Sequence, residues 1–111
     1  MTYSEKLQQT NAECTNLGKG LPETVAKFFE LHDVASVEGA LTPKMKELIA
    51  IGISVAIRCE PCIVSHVDGL IKAGATREEV LEALGVAIYM GGGPSLAYSA
   101  KVLACYDEMT K

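Results

Sequence analysis

All four prolines of this 111-residue chain, Pro22, Pro43, Pro61 and Pro94, stand where a helix would begin, and that placement constrains the fold more than any other feature. Proline has no N–H to donate and its φ is preset near helical values, so it suits the first turn of a helix and breaks the interior of one. The other punctuation agrees. Thr42-Pro43 reads as an N-cap followed by proline at the first helical position, and Thr76-Arg77-Glu78-Glu79 is a capping box. Gly74 is a good left-handed terminator, and Gly91-Gly92-Gly93 separates one helix from the next.

These signals predict an all-α fold of six short helices. The first runs from about Ser4 to Leu17 and ends near Gly18-Lys19-Gly20. The second opens at Pro22, carries Val25, Phe28, Phe29 and Leu31 toward the core, and gives out between Ala35 and Gly39. The third runs from Pro43 to about Arg58, the fourth from Pro61 to about Ala73 and the fifth from Thr76 to the triple glycine. The sixth, from Pro94, turns Leu96, Ala97, Ala100, Leu103 and Ala104 to one face. No linker, repeat or low-complexity tract divides the chain, so residues 1–111 are expected to form one compact domain.

Apolar residues make up 49% of the sequence, yet Trp is absent and there are two Phe and four Tyr, so the core is expected to be aliphatic. The third helix is apolar nearly all round, and with the fifth and sixth it offers more apolar surface than a monomer this small can cover. A homo-oligomer is expected. The longest apolar run, Leu48 to Ile57, falls well short of the roughly 20 residues that span a bilayer, so no membrane anchor is expected. A net charge of -4 without a basic run argues against nucleic acid as a partner. The first residues show neither a positive n-region nor an apolar h-region, which points to the cytosol.

In such a compartment a close cysteine pair is more often catalytic or metal-binding than structural. Cys59-Glu60-Pro61-Cys62 supplies that pair, with His66 four residues on and on the same helical face. If the helix opens at Pro61, Cys62 sits in its first turn, where the helix dipole and His66 both favour thiolate. Cys59 lies within disulfide reach of Cys62. The sulfurs can therefore cycle between dithiol and disulfide. A zinc or cluster site through Cys59, Cys62 and His66 is the alternative, although a structural zinc wants four ligands and no second CxxC or nearby His supplies the fourth. Cys105 reads as core filling, Cys14 has no local activating group, and His32 receives no role. Glu47 is ambiguous, because a carboxylate in the first turn of a helix is commonplace. In an ideal hairpin of the third and fourth helices Glu47 lies roughly 18 Å from the turn at Cys59 and His66 about 8–10 Å, so the two are expected not to meet without crossing helices or a bridging water.

Taken together, Cys59-x-x-Cys62-x-x-x-His66, Glu47 twelve residues before the first cysteine, and the helix-glycine-helix segment Ile88 to Pro94 resemble the AhpD-like alkylhydroperoxidase and carboxymuconolactone decarboxylase family over about residues 22 to 109. The resemblance implies an all-helical domain assembling as trimers or hexamers, without a cofactor. It implies peroxidase and thiol–disulfide exchange activity, with Cys62 as peroxidatic thiol, Cys59 as resolving thiol, and Glu47 with His66 as a proton relay. A hydroperoxide or disulfide would be the substrate and an external dithiol, a lipoyl or thioredoxin-like protein, the reductant. Two departures stand out. Pro61 occupies the place where better-studied alkylhydroperoxidases carry a His, and the chain is about half the length of two-repeat members. The decarboxylase branch typically lacks the cysteine pair, so lactone decarboxylation is not expected.

Overall fold

Three threonines and their partners set where helices start in the computed structural model, which describes all 111 residues. Thr2 Oγ1 accepts from Glu5 N at 3.0 Å while Glu5 Oε1 accepts from Thr2 N at 2.7 Å. That capping box opens α1 (Tyr3–Gly20), which is longer at both ends than the sequence suggested. After one intervening residue comes α2 (Pro22–Ser36). Thr42 Oγ1 accepts from Met45 N to open α3 (Pro43–Ala56), and α4 follows at Glu60–Lys72. The expected Thr76–Glu79 box opens α5 (Arg77–Gly91), with bonds of 3.1 and 2.8 Å, and α6 spans Gly93–Met109. The element order contains six α-helices and no strand. None of them is long and apolar enough to cross a membrane.

The core lies between α3, α4, α5 and α6. Helix α4 contributes most to it, burying Ile63, Val64, Val67 and Leu70. Ile51 and Val55 of α3, Val80, Leu84 and Ala87 of α5, and Val102, Cys105 and Tyr106 of α6 close around them. Full burial of an aliphatic side chain is worth roughly 1.5–3 kcal/mol, so this aliphatic cluster dominates the fold's stability.

One expectation about a core face fails. Helix α2 buries no residue at all, and Phe28, Phe29, Leu31 and Val34 are exposed. The turn at Leu21 folds α2 back on α1, outboard of the core, where Val25 packs beside Gly18. On α6 the buried face is Ser95, Ser99, Val102, Cys105 and Tyr106, while Leu96, Ala97, Ala100 and Ala104 face out. Small serines let α6 approach closely on its buried face, and the apolar face lies outward. A Cβ on Gly91 would overlap the Ser95 side chain, so the glycine segment serves that close approach.

At the far end of α4, Gly74 adopts φ 79° and Ala75 N bonds back to Leu70 O, the expected glycine termination. The buried Tyr106 hydroxyl donates to Ala75 O at 2.8 Å, tying α6 to this turn. Tyr106→Phe removes that bond and strands a buried carbonyl. We expect a loss of about 1–2 kcal/mol in denaturant unfolding, with an unchanged m-value.

Candidate active site

The site is built on the tight turn between α3 and α4. Arg58 adopts φ 57°, the left-handed region that a non-glycine residue enters at a cost. Its N–H reaches Val55 O, and Cys59 N reaches Ser54 O, both at 3.1 Å, so the closing carbonyls of α3 are satisfied as in a glycine-terminated helix. Strain of this kind persists where surrounding structure over-determines it, and it fixes Cys59 at the start of α4.

Cys59 is the N-cap of α4, and its Sγ accepts from Cys62 N at 3.2 Å. The helix therefore begins one residue earlier than expected, at Glu60, with Pro61 still in its first turn. Both sulfurs, not Cys62 alone, lie at the positive end of the helix. They are joined as a disulfide with a Cα–Cα separation of 5.2 Å, and both residues are half-buried. Glu60, between them, is gripped by Lys6 Nζ of α1 at 2.6 Å, with Lys101 Nζ of α6 at 3.9 Å. The Lys6 ammonium holds the Glu60 carboxyl below the usual carboxylate range.

One turn beyond Cys62, His66 Nδ1 lies 2.8 Å from Glu47 Oε2. The expectation that these residues fail to meet is overturned. The turn itself consumes Ile57 to Cys59, so Glu47 on α3 comes level with Gly69 on α4, and His66 is only three residues away, about 4.5 Å of helical rise. Gly69 provides the room, since a Cβ there would stand 2.8 Å from the Glu47 carboxyl carbon. A carboxylate can only accept, so Nδ1 carries the proton and Nε2 is left as the basic nitrogen. The two side chains retain 20% and 29% exposure, shielded enough to strengthen the pair and open enough to exchange protons.

Glu47 and His66 also line a cavity of about 360 Å³ with His32, Ser36, Lys46 and Ile53. Lys46 Nζ donates to Ala35 O at 3.0 Å and Val37 O at 2.7 Å, capping α2 and fixing it as one wall. Sequence reasoning missed Gly69 and the capping role of Lys46. A glycine inside a helix three residues after His66 was the available signal for the first. Nothing local betrayed the second.

The remaining cysteines stay outside the site. Cys14 is exposed on α1, and Cys105 is buried, its thiol pushed up to about 12 by desolvation. In the disulfide state the sulfurs of Cys59 and Cys62 are bonded to each other, and no group of three His, Cys, Asp or Glu side chains is arranged to hold an ion.

The fold has counterparts among known proteins. A crystal structure of an apo carboxymuconolactone decarboxylase family protein from Legionella pneumophila superposes with a TM-score of 0.95 at 43% identity, covering 98% of this chain and 97% of that one. A family protein from Thermotoga maritima, with a possible part in the antioxidative response, gives a TM-score of 0.73 at 30% identity over 78% of this chain and 90% of that one. An uncharacterised protein from Cupriavidus necator is 34% identical over 104 residues, 94% of this chain and 92% of its own length. Residues 22–104 match the sequence model of the carboxymuconolactone decarboxylase family. With its six-helix AhpD-like fold, the chain belongs to the carboxymuconolactone decarboxylase family.

Proposed function

We propose that the protein is a thiol peroxidase that reduces hydroperoxides through a Cys59–Cys62 dithiol–disulfide cycle, assisted by Glu47 and His66. The observation that carries this reading is the Glu47–His66 pair at 2.8 Å, one helical turn from Cys62 in a CxxC at a helix start. His66 Nε2 takes the Cys62 thiol proton. The thiolate attacks the hydroperoxide, forming an S–O bond and breaking the O–O bond, and the leaving alkoxide takes a proton from His66 to depart as alcohol. The Cys59 thiol then condenses with the Cys62 sulfenic acid, forming the S–S bond and breaking the S–O bond, and the hydroxide leaves as water with the Cys59 proton. An external dithiol, such as a lipoyl or thioredoxin-like protein, restores the thiols by exchange. The Thermotoga relative's possible antioxidative role agrees with this chemistry.

A second reading, a disulfide reductase on the same dithiol, is favoured by Cys59 itself. As N-cap of α4 with an N–H on its sulfur, it has its own thiolate stabilisation and suits attack on a partner's disulfide. Assaying the parent protein with an organic hydroperoxide and with a protein disulfide separates the two, and Cys59→Ser and Cys62→Ser then tell which sulfur attacks the peroxide. If Cys62→Ser abolishes peroxide consumption while Cys59→Ser still passes through one turnover, the peroxidase order holds. If Cys62→Ser retains that single turnover and Cys59→Ser loses it, the order is reversed.

We further propose a homo-oligomer. Phe28, Phe29, Leu31 and Val34 of α2 are exposed together, and an apolar groove of about 650 Å³ between α3 and α5 is walled by Ile49, Ile53, Val86 and Met90. Contiguous apolar surface of this kind marks association. Light scattering at micromolar concentration is expected to give a multiple of the 11.8 kDa chain mass, and a monomeric mass would contradict the proposal.

A further inference from the structure

Helix α1 ends at Gly20, before the residue at which the family match begins, yet it reaches back onto the redox pair. Its N-terminus is fastened by Glu108 of α6, whose carboxylate accepts from Tyr3 N at 3.1 Å and Ser4 N at 3.0 Å. Tyr3 and Leu7 pack on the core to either side of Lys6. The Lys6 ammonium lies 4.8 Å from the centre of the Tyr3 ring and 2.6 Å from Glu60 Oε1. Only about a third of either charged side chain is exposed, 34% for Lys6 and 35% for Glu60. Glu60 is flanked in sequence by both half-cystine positions.

We infer that Lys6 sets the reduction potential of the Cys59–Cys62 pair by neutralising Glu60. The inference rests on the dithiol reading above and goes beyond it, assigning a positioning residue outside the matched domain. Reduction of the pair by two external thiols breaks the S–S bond, yields two thiols on the protein and forms one disulfide on the reductant. Thiolate develops only on the reduced side of that equilibrium. A carboxylate on the residue after Cys59, two before Cys62, opposes thiolate and favours the disulfide, and the Lys6 ammonium cancels it. Lys101, at 3.9 Å, supplies a weaker share of the same cancellation.

The sign makes the test specific. The full chain with Cys14→Ser, which removes the exposed free thiol, is equilibrated with reduced and oxidised glutathione, and the reduced fraction is read by alkylation and mass spectrometry. Lys6→Met is expected to make the disulfide about 3–10-fold harder to reduce, a fall of roughly 14–30 mV at about 30 mV per tenfold. Glu60→Gln should shift the constant by a similar factor the other way. The double variant should return near the parent value, and Lys6→Arg, keeping the charge, should stay there. An unchanged constant in Lys6→Met overturns the inference. So does a double variant that stays as hard to reduce as Lys6→Met alone, because displacement of α1 and not the uncompensated Glu60 charge would then be the cause. A parent pair that exchanges with glutathione at no ratio overturns the dithiol function itself, an outcome distinguishable from a pair that exchanges and ignores Lys6.

Discussion

Glu47→Gln is expected to lower hydroperoxide turnover about 10²–10⁴-fold, the usual contribution of a general acid–base group. The glutamine carbonyl still accepts from His66 Nδ1, so the fold and the position of the imidazole are kept. What is lost is the negative charge that makes imidazolium favourable after His66 takes the Cys62 proton. His66→Ala should produce a comparable turnover loss and should also slow alkylation of the reduced dithiol at neutral pH, since it removes the proton acceptor itself. Glu47→Gln should slow alkylation less, because the carboxylate acts through the imidazole. Steady-state peroxide consumption and iodoacetamide kinetics on the two variants check both statements. Full turnover in Glu47→Gln would reduce Glu47 to an ordinary first-turn carboxylate of α3.

The second large effect is expected at a residue with no side chain. Gly69→Ala places a Cβ 2.8 Å from both the Glu47 carboxyl carbon and Oε2, and that carboxylate must swing away from His66. Misplacement of a positioning group by about an ångström costs on the order of 10²-fold in rate, and we expect that loss here. Alanine is the better helix former by about 1 kcal/mol, so the variant should not lose helicity or stability on that account. A variant that stays folded in thermal and denaturant unfolding while its turnover collapses would tie the loss to the Glu47–His66 contact. Undiminished turnover would mean that the contact is not used.

Much of the scaffold was legible because its instructions are local. The Thr76–Glu79 box, Thr42-Pro43 and Gly74 act through backbone groups within four or five residues, and each appears where the sequence placed it. What could not be read locally was which face of a helix turns inward. On α6 the buried positions Ser95 and Ser99 are polar by composition and suited to the core by size, so no apolar pattern marks them. On α2 an apolar stripe exists, but only Val25 of it packs against α1, and Phe28, Phe29 and Leu31 stay exposed.

The candidate site divides along the same line. Cys59, Cys62 and His66 share one helix start, so their proximity follows from spacing alone. The Glu47–His66 contact spans two helices, and its geometry depends on how many residues the turn at Arg58 consumes and on a glycine at position 69. Family resemblance supplied Glu47 as a candidate; spacing argued against it. The Lys6–Glu60 pair, separated by 54 residues, had no sequence signal of any kind.

The most direct test of the account is a stoichiometric one. Fully reduced protein is treated with one equivalent of an organic hydroperoxide per chain, and thiols are then counted under native and denaturing conditions and mapped by mass spectrometry. The account predicts that two thiols disappear per chain, those of Cys59 and Cys62, with one equivalent of alcohol formed. Exposed Cys14 should remain titratable, and buried Cys105 should become so only on denaturation. Survival of the Cys59 and Cys62 thiols, or consumption of Cys14 in their place, would contradict it.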